Sequence, residues 1–97
     1  MKGGKTEKQI VNEILKYLNG LECCRAVKVH GGRYGNSGEP DIDCVYRGRS
    51  YKFEVKRPKN KPTQLQMSVM DKWREAGACV CWVTDVREVI NVMTGLD

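Results

Sequence analysis

Two acidic residues and a lysine stand at positions where neighbouring strands could bring them together. Glu54 and Lys56 are two residues apart within Ser50–Lys56, whose alternation of apolar and polar residues predicts a β-strand. Side chains two apart on a strand project from the same face. Asp41 opens the preceding predicted strand, Asp41–Tyr46. The pattern therefore predicts that Glu54 and Lys56 share one face and that Asp41 lies close to them on the preceding strand.

The turn between these two strands allows two registers. If Tyr46 pairs with Arg49, Asp41 lies directly opposite Glu54, with Cβ atoms roughly 5 Å apart. If Tyr46 pairs with Ser50, Asp41 shifts by one residue and lies diagonally from Glu54. The sequence does not choose between these registers, but both bring the two carboxylates close together.

Two carboxylates at that distance repel each other unless a cation lies between them. A hard divalent cation with oxygen ligands suits such a pair, and Mg²⁺ typically accepts one or two carboxylates while it keeps several waters. A lysine beside that cation could orient an attacking water or neutralise charge that develops on a phosphate. The same spacing also fits a cross-strand charge ladder on a solvated face, in which Glu54 pairs with Lys52 or Lys56.

The elements that must position these residues follow the order α-β-β-β-α-β-α. Thr6 with Gln9, and Thr63 with Gln66, are each typical of a capping box at the start of a helix. Alternation, turn residues and helical periodicity set the remaining boundaries. The predicted helices are Glu7–Asn19, a second from Thr63 to Gly77, and Asp85–Asn91; the predicted strands are Ala26–His30, Asp41–Tyr46, Ser50–Lys56 and Cys79–Thr84.

Several of these elements carry a predicted buried face. Leu65, Val69 and Trp73 form an apolar stripe on the second helix, and Val27 and Val29 share a face of the first strand. We expect Trp82 to join the core, within the segment CVCWVT. The connection from the third strand through a helix to this segment predicts a right-handed crossover between parallel strands. Together with the hairpin, it predicts an α/β fold with a mixed sheet flanked by helices.

Length and composition limit the classes of protein that this chain can represent. Its 97 residues predict one domain, 1–97, in which 1–5 form a flexible Gly/Lys tail. The balance of 40% hydrophobic and 30% charged residues is typical of a globular chain and not of a disordered one. No apolar run approaches a membrane span, and the N-terminus lacks the apolar stretch of a secretory signal. The net charge of +5 favours polyanionic partners.

The cysteines favour an intracellular protein with reduced thiols. There are five, an odd number, and their spacing as CC and CxC, with a single histidine, does not match the usual zinc ligand patterns. We interpret Cys44, Cys79 and Cys81 as small core residues on strands.

The motif order resembles a known nuclease family. Pro40-Asp41 followed by Glu54-Val55-Lys56 resembles the PD-(D/E)XK nuclease motif. The rest of the chain, roughly residues 6–85, resembles its VRR-NUC branch (virus-type replication-repair nuclease). That branch has an early helix with a glutamate, a G-x-P-D segment, a hydrophobic-E-V-K strand, a basic loop and a helix that opens with S/T-x-x-Q. The matching positions here are Glu7, Pro40-Asp41, Phe53 to Lys56, Lys61-Pro62-Thr63 and Gln66.

The resemblance implies a restriction-endonuclease-like fold and a Mg²⁺- or Mn²⁺-dependent phosphodiesterase that acts on DNA. It implies that Asp41, Glu54 and the backbone carbonyl of Val55 bind the metal and that Lys56 serves the nucleophilic water. Glu7 would complete the site and Gln66 would support it, although an acid in a first helical turn and a capping glutamine also explain these two residues. Glu39, inside the G-x-P-D segment, departs from the family pattern and could alter metal affinity.

Candidate DNA contacts lie on both sides of this motif. The basic run after and within the third strand is interpreted as a phosphate-binding surface. Arg33 and Tyr34, in the glycine-rich loop, could hold an unpaired base or a distorted backbone. Lys28 could contact phosphate or could simply be a solvated strand residue. The run comprises Lys52, Lys56, Arg57, Lys59 and Lys61.

The function expected from the resemblance is that of a metal-dependent DNA endonuclease. Minimal family members resemble dimeric junction resolvases, so we expect a homodimer that cuts branched DNA such as four-way (Holliday) junctions. Apolar residues of the first and last helices, with Met93 and Leu96, would supply the dimer contact. The alternatives are a flap or nicking nuclease of phage replication or repair, and a catalytically inactive DNA-binding module.

Overall fold

The computed structural model describes residues 4–30 and 38–95, which form three helices and four strands in the predicted order. The elements are α1 (Glu7–Asn19), β1 (Cys24–Lys28), β2 (Ile42–Tyr46), β3 (Arg49–Val55), α2 (Gln64–Glu75), β4 (Cys79–Val83) and α3 (Val86–Thr94). None of these helices combines the length with the apolar run that crossing a membrane requires.

Helix starts follow local sequence chemistry. Thr6 accepts a hydrogen bond from the backbone N–H of Gln9, whose side chain accepts one from the Thr6 N–H, and Thr63 and Gln66 repeat this arrangement at α2. Asp85 caps α3. Because both partners of each box lie within four residues, the sequence is sufficient to predict these starts. The predicted bounds of α1 are confirmed residue for residue.

The strands form one mixed sheet in the order β1-β2-β3-β4. The β1–β2 and β2–β3 pairs are antiparallel, and β3 and β4 are parallel, as the crossover predicts. In the β2–β3 hairpin, Arg47 and Gly48 both have positive φ, 50° and 83°. This combination is typical of a type I′ two-residue turn. The turn pairs Tyr46 with Arg49, which selects the first of the two predicted registers.

The main core lies between the sheet and the α1/α3 layer. Ile14 and Leu18 of α1 and Val89 of α3 are fully buried against side chains such as Phe53 and Val55 of β3. Much of the apolar surface of α1 and α3 is thus used inside the molecule, while Met93, from the predicted dimer contact, and the neighbouring Val92 are half-buried. Leu96 lies outside the described residues. Cys44 is buried and Cys79 and Cys81 pack against the core, as predicted.

Helix α2 covers the opposite face of the sheet, and its packing differs from the predicted stripe. Met70 is its fully buried residue, whereas Val69 and Trp73 are half-buried and Leu65 is 53% exposed. The helix packs mainly over β4. The part of the sheet beneath it is therefore too narrow to bury Leu65, Val69 and Trp73 together. Leu65 instead contacts Gly38, where an added Cβ would lie 2.9 Å from the Leu65 side chain.

The first strand and the N-terminal segment also differ from prediction. β1 begins two residues earlier than expected, and Ala26 is its buried residue while Val27 is 42% exposed. The cause is its register with β2, because Ala26 pairs with Cys44 on the core face. Residues 1–3 of the predicted tail lie outside the described residues. Lys5 is held by an ion pair with Glu13, at 2.9 Å.

Candidate active site

The hairpin register brings Asp41 and Glu54 side by side. The last pair of the ladder is Ile42 with Phe53, so the next residues on each side are Asp41 and Glu54. The Asp41 backbone carbonyl accepts a hydrogen bond from Val29 N–H at 2.7 Å, which continues the β1–β2 pairing. Its carboxylate Oδ2 accepts one from the Val55 N–H at 2.8 Å. Asp41 is therefore held from both sides, with its carboxylate at the end of β3.

Glu54 is a buried carboxylate with an unused oxygen. The residue is only 2% exposed. Its Oε2 lies 3.6 Å from Lys56 Nζ, within ion-pair range but too far for a good hydrogen bond. Across residues 4–30 and 38–95, Glu54 Oε1 is the one buried side-chain oxygen or nitrogen without a hydrogen-bond partner. Burying such an atom is costly unless a ligand or ion completes its coordination.

The electrostatic environment of Glu54 follows from this burial. Loss of hydration raises the pKa of Glu54 to about 7, and the neighbouring charge of Asp41 acts in the same direction, while Lys56 opposes both. Burial and a like charge both penalise the ionised form. A group with such a pKa changes charge near neutral pH and responds strongly to any added cation.

The oxygen donors of this corner fit a hard divalent cation. Asp41 and Glu54 offer carboxylate oxygens, one of them unpaired and buried, next to the backbone of Val55. Mg²⁺ and Mn²⁺ favour such oxygen ligands, and Mg²⁺ needs only one or two carboxylates. No third Asp, Glu, His or Cys joins them to make a larger cluster in the part of the chain that the structure describes. Glu7, exposed in the first turn of α1, is thus not assembled into the carboxylate pair.

Gln66 caps the start of α2, which is the alternative to a supporting role at the site. Its Oε1 accepts a hydrogen bond from the Thr63 N–H at 2.9 Å, and its own N–H donates to Thr63 Oγ1. The side-chain oxygen is therefore occupied at the start of α2. Only the amide NH₂ group remains as a further donor toward the site.

Lys52 does not belong to the phosphate-binding surface that was predicted for it. It is 9% exposed, pairs with Asp43 directly across the hairpin at 2.9 Å, and lies 4.0 Å from the centre of the Trp73 ring. The physical reason is that β3 is an interior strand whose second face is covered by α2. A charge ladder does exist on this face, but it joins Lys52 to Asp43 and Lys56 to Glu54.

The same contacts explain Glu39. Its Oε1 accepts a hydrogen bond from Trp73 Nε1 at 2.9 Å, so this acid is directed at α2. Glu39 stands two residues before Asp41, and the Trp73 ring covers Lys52. Glu39, which departs from the family pattern, thus links the segment that carries Asp41 to helix α2. Sequence reasoning missed this link, because Glu39 and Trp73 are 34 residues apart.

The remaining candidate DNA contacts are spread around the molecule. Arg57, Lys59 and Lys61 are exposed in the loop that follows β3, close in sequence to Lys56. Lys28 pairs with Ile42, so its side chain leaves the sheet on the α1 face, opposite the face of Asp41 and Glu54. Arg33 and Tyr34 lie outside the described residues.

Trp82 is not in the core, contrary to prediction. It pairs in register with Glu54 on the parallel neighbour β3 and is 41% exposed. Alternation along β4 offered a signal, since Val83 faces the core and its neighbour Trp82 must face the other side. The run CVCWVT is apolar throughout, which hides that alternation.

Comparison with known proteins identifies the fold. No protein-family model matches the sequence, and no curated protein matches it. Solved structures do match. One, described as a VRR_NUC domain, has a TM-score of 0.77 and 24% identity, and the match covers 91% of this chain and 94% of that one. Another, described as a VRR_NUC domain protein, has a TM-score of 0.77 and 16% identity, with 97% and 89% covered. The chain therefore has the VRR_NUC fold, with the restriction-endonuclease-like mixed sheet that its motif order predicts.

Proposed function

We propose that this protein is a metal-dependent DNA endonuclease that hydrolyses phosphodiester bonds, with branched DNA such as four-way junctions as its preferred substrate. The observation that carries the proposal is the buried Glu54 carboxylate, with one oxygen unpaired, beside Asp41 and Lys56. A binding module has no need for two adjacent carboxylates, one of which, Glu54, has its pKa raised by burial and by the charge of the other. The VRR_NUC fold of the chain supports the same function.

In this proposal the carboxylates of Asp41 and Glu54 and the carbonyl of Val55 hold Mg²⁺ or Mn²⁺. A metal ion bound there would lower the pKa of a coordinated water and offset charge on the scissile phosphate. Lys56 donates hydrogen bonds to the nucleophilic water or to the oxygen on which charge develops. Its partly buried position beside Glu54 preorganises it for either role. Glu7 and the free amide group of Gln66 are proposed as supporting residues.

The proposed substrate and assembly follow from charge and symmetry. The exposed cations Arg57, Lys59 and Lys61 follow the catalytic strand and suit a phosphate backbone. Lys28, Arg33 and Tyr34 are proposed as further contacts. A four-way junction has two symmetry-related strands to cut, and a two-fold dimer would present two sites to it. DNA as substrate, together with five cysteines that form no disulfide, favours an intracellular location.

Asp41→Asn tests the proposal at the metal site. The substitution replaces a carboxylate ligand with a neutral amide, so we expect Mg²⁺ and Mn²⁺ affinity to fall at least about tenfold by calorimetry, and cleavage to be lost. DNA binding in EDTA should stay equal or tighten, because a negative charge near the phosphate is removed. The substrates are duplex, flap, single-stranded and four-way DNA.

Asp71→Asn is the matched control. Asp71 is exposed on α2 and pairs with Arg74, so this variant changes the net charge equally but leaves the site intact. It should bind metal and cut like the wild type. Binding of DNA without cleavage by the wild-type protein in either metal would overturn the nuclease proposal and favour the inactive binding module. Cleavage restricted to flaps would favour the alternative substrate class.

A further inference from the structure

One large apolar side chain in register with the candidate site is substantially exposed. Trp82 is in register with Glu54 on the adjacent strand, so the two side chains leave the same face of the sheet. Neighbouring strands are about 4.8 Å apart, so the two side chains begin about one strand spacing from each other. The row across the sheet at this level is thus Asp41, Glu54 and Trp82.

The exposure of Trp82 contrasts with the other tryptophan. Trp73 covers Lys52 and donates its indole N–H to Glu39. Trp82 is 41% exposed, and its indole N–H has no hydrogen bond to any residue in 4–30 or 38–95. An exposed apolar residue alone needs no explanation. A large, partly exposed indole in register with an under-coordinated buried carboxylate is a different case, because both side chains leave the same face of the sheet on adjacent strands.

We propose that Trp82 is a stacking platform for an unpaired nucleobase adjacent to the phosphate that Asp41, Glu54 and Lys56 engage. This inference rests on the proposed function and narrows its branched substrate to a cleavage point where base pairing is interrupted, as at an opened branch point or a flap. A base inside a duplex is stacked on both sides, so it can reach the indole only where pairing is interrupted. Base–aromatic stacking is independent of sequence, since every base has a π-face. The cations after β3 would hold the flanking phosphates.

The test measures binding without cleavage. Labelled oligothymidylate is titrated in EDTA with the wild type, Trp82→Ala, Trp82→Phe and Val45→Ala. Trp82→Ala should weaken single-strand binding by about 5- to 30-fold, while Trp82→Phe stays within about threefold because a ring remains. Val45 is also exposed, at 49%, on the same face but four residues from Asp41 along β2, about 13 Å away. Val45→Ala should bind as the wild type, and fully paired duplex should be insensitive to all three substitutions.

A second readout covers the case in which Trp82→Ala does not fold. The chain has two tryptophans, so Trp82→Phe leaves Trp73 alone. Oligothymidylate should quench tryptophan emission in the wild type and fail to do so in Trp82→Phe. The platform proposal would be overturned by any of three results. These are undiminished quenching in Trp82→Phe, single-strand binding of Trp82→Ala equal to that of the wild type, and no single-strand binding by the wild type. Because no step here needs catalysis, these results are separate from those of Asp41→Asn, which decide the nuclease proposal.

Discussion

At the scale of single residues, Glu54 carries an electrostatic penalty that should be visible in folding. The pKa of this carboxyl is raised from its ordinary value of 4.5 to about 7, chiefly by burial. Between these two values the folded protein binds more protons than the unfolded chain. The free energy of unfolding must therefore fall as the pH rises from about 4.5 through about 7, since ionised Glu54 is less stable inside than in water.

Glu54→Gln should remove this dependence. The measurement is urea unfolding in EDTA, without divalent metal. Between pH 5 and pH 8, we expect the free energy of unfolding to fall on the order of 2 kcal/mol more in the wild type than in Glu54→Gln. Glu75→Gln, at an exposed position on α2, should follow the wild type. Adding Mg²⁺ at pH 8 should restore stability to the wild type and not to Glu54→Gln, because only the former keeps both carboxylates. Identical pH profiles for wild type and Glu54→Gln would contradict the raised pKa.

Lys56 is the residue whose loss should separate catalysis from binding. Its ammonium lies 3.6 Å from Glu54 and is only 15% exposed, so it is held in place rather than free in solvent. We expect Lys56→Ala to reduce cleavage of four-way DNA at least about 100-fold, which is typical for the loss of one preorganised donor. Junction affinity in EDTA should change little, because several exposed cations remain.

Lys59→Ala provides the comparison, because it removes the same charge from the exposed loop after β3. It should weaken binding slightly and leave the cleavage rate at saturation unchanged. If both variants cut at the wild-type rate, Lys56 has no part in the chemistry and the motif assignment fails.

At the scale of elements, both edges of the sheet are protected by side chains. Asn19, at the end of α1, donates to the Ala26 carbonyl at 2.9 Å and accepts from the Ala26 N–H at 2.8 Å, which imitates a neighbouring strand. At the other edge, Arg74 of α2 donates to the Val80 carbonyl through two nitrogens, at 3.2 and 3.0 Å. Exposed strand edges invite pairing with other chains, so these contacts both stabilise the fold and limit aggregation.

Asn19→Ala should reveal the strength of the first edge contact. It leaves the N–H and carbonyl of Ala26 without their side-chain partner, and we expect a loss of about 1–3 kcal/mol in the free energy of unfolding. Asn12→Ala, at an exposed position on the same helix, should cost nothing, since alanine has the higher helix propensity. The measurement is urea unfolding with aggregation monitored by light scattering. Equal stability of the two variants would show that the Asn19 contact is not needed.

At the scale of the whole molecule, the most exposed large apolar residues lie outside the helices that the sequence indicated for assembly. The apolar residues of α1 and α3 form the core, and the exposed large apolar residues are on strands and on α2. They include Val27 and Val45 on the face of β1 and β2 that carries Asp43. The homodimer that we propose therefore rests on the symmetry of its proposed substrate.

We expect a homodimer in solution that cuts four-way junctions in preference to linear duplex. The preference should persist as salt rises while overall affinity falls, because shape recognition is less screened than phosphate attraction. Sedimentation velocity at micromolar concentration and cleavage of matched junction and duplex substrates are the measurements. A monomer that cuts both substrates equally would count against the dimer and the junction preference together.

Much of this architecture is determined by short-range sequence chemistry. The capping pairs Thr6 with Gln9 and Thr63 with Gln66 set the helix starts, and alternation along Ser50–Lys56 places Glu54 and Lys56 on one face. These features depend on residues only a few positions apart, so one sequence suffices to predict them. The element order, the mixed sheet and the closeness of Asp41 to Glu54 follow from them.

Burial, by contrast, was decided by tertiary structure. Alternation indicates that Lys52 and Glu54 face away from Phe53, but not that α2, reached through the crossover, covers that second face. The two tryptophans illustrate the same point, because Trp73 packs on Lys52 while Trp82 remains 41% exposed beside Glu54. Alternation along β4 indicates which face Trp82 occupies, but no local pattern indicates how exposed each tryptophan is on that face. The unpaired oxygen and the raised pKa of Glu54 arise because segments distant in sequence exclude water from it, and no local pattern records which segments those will be.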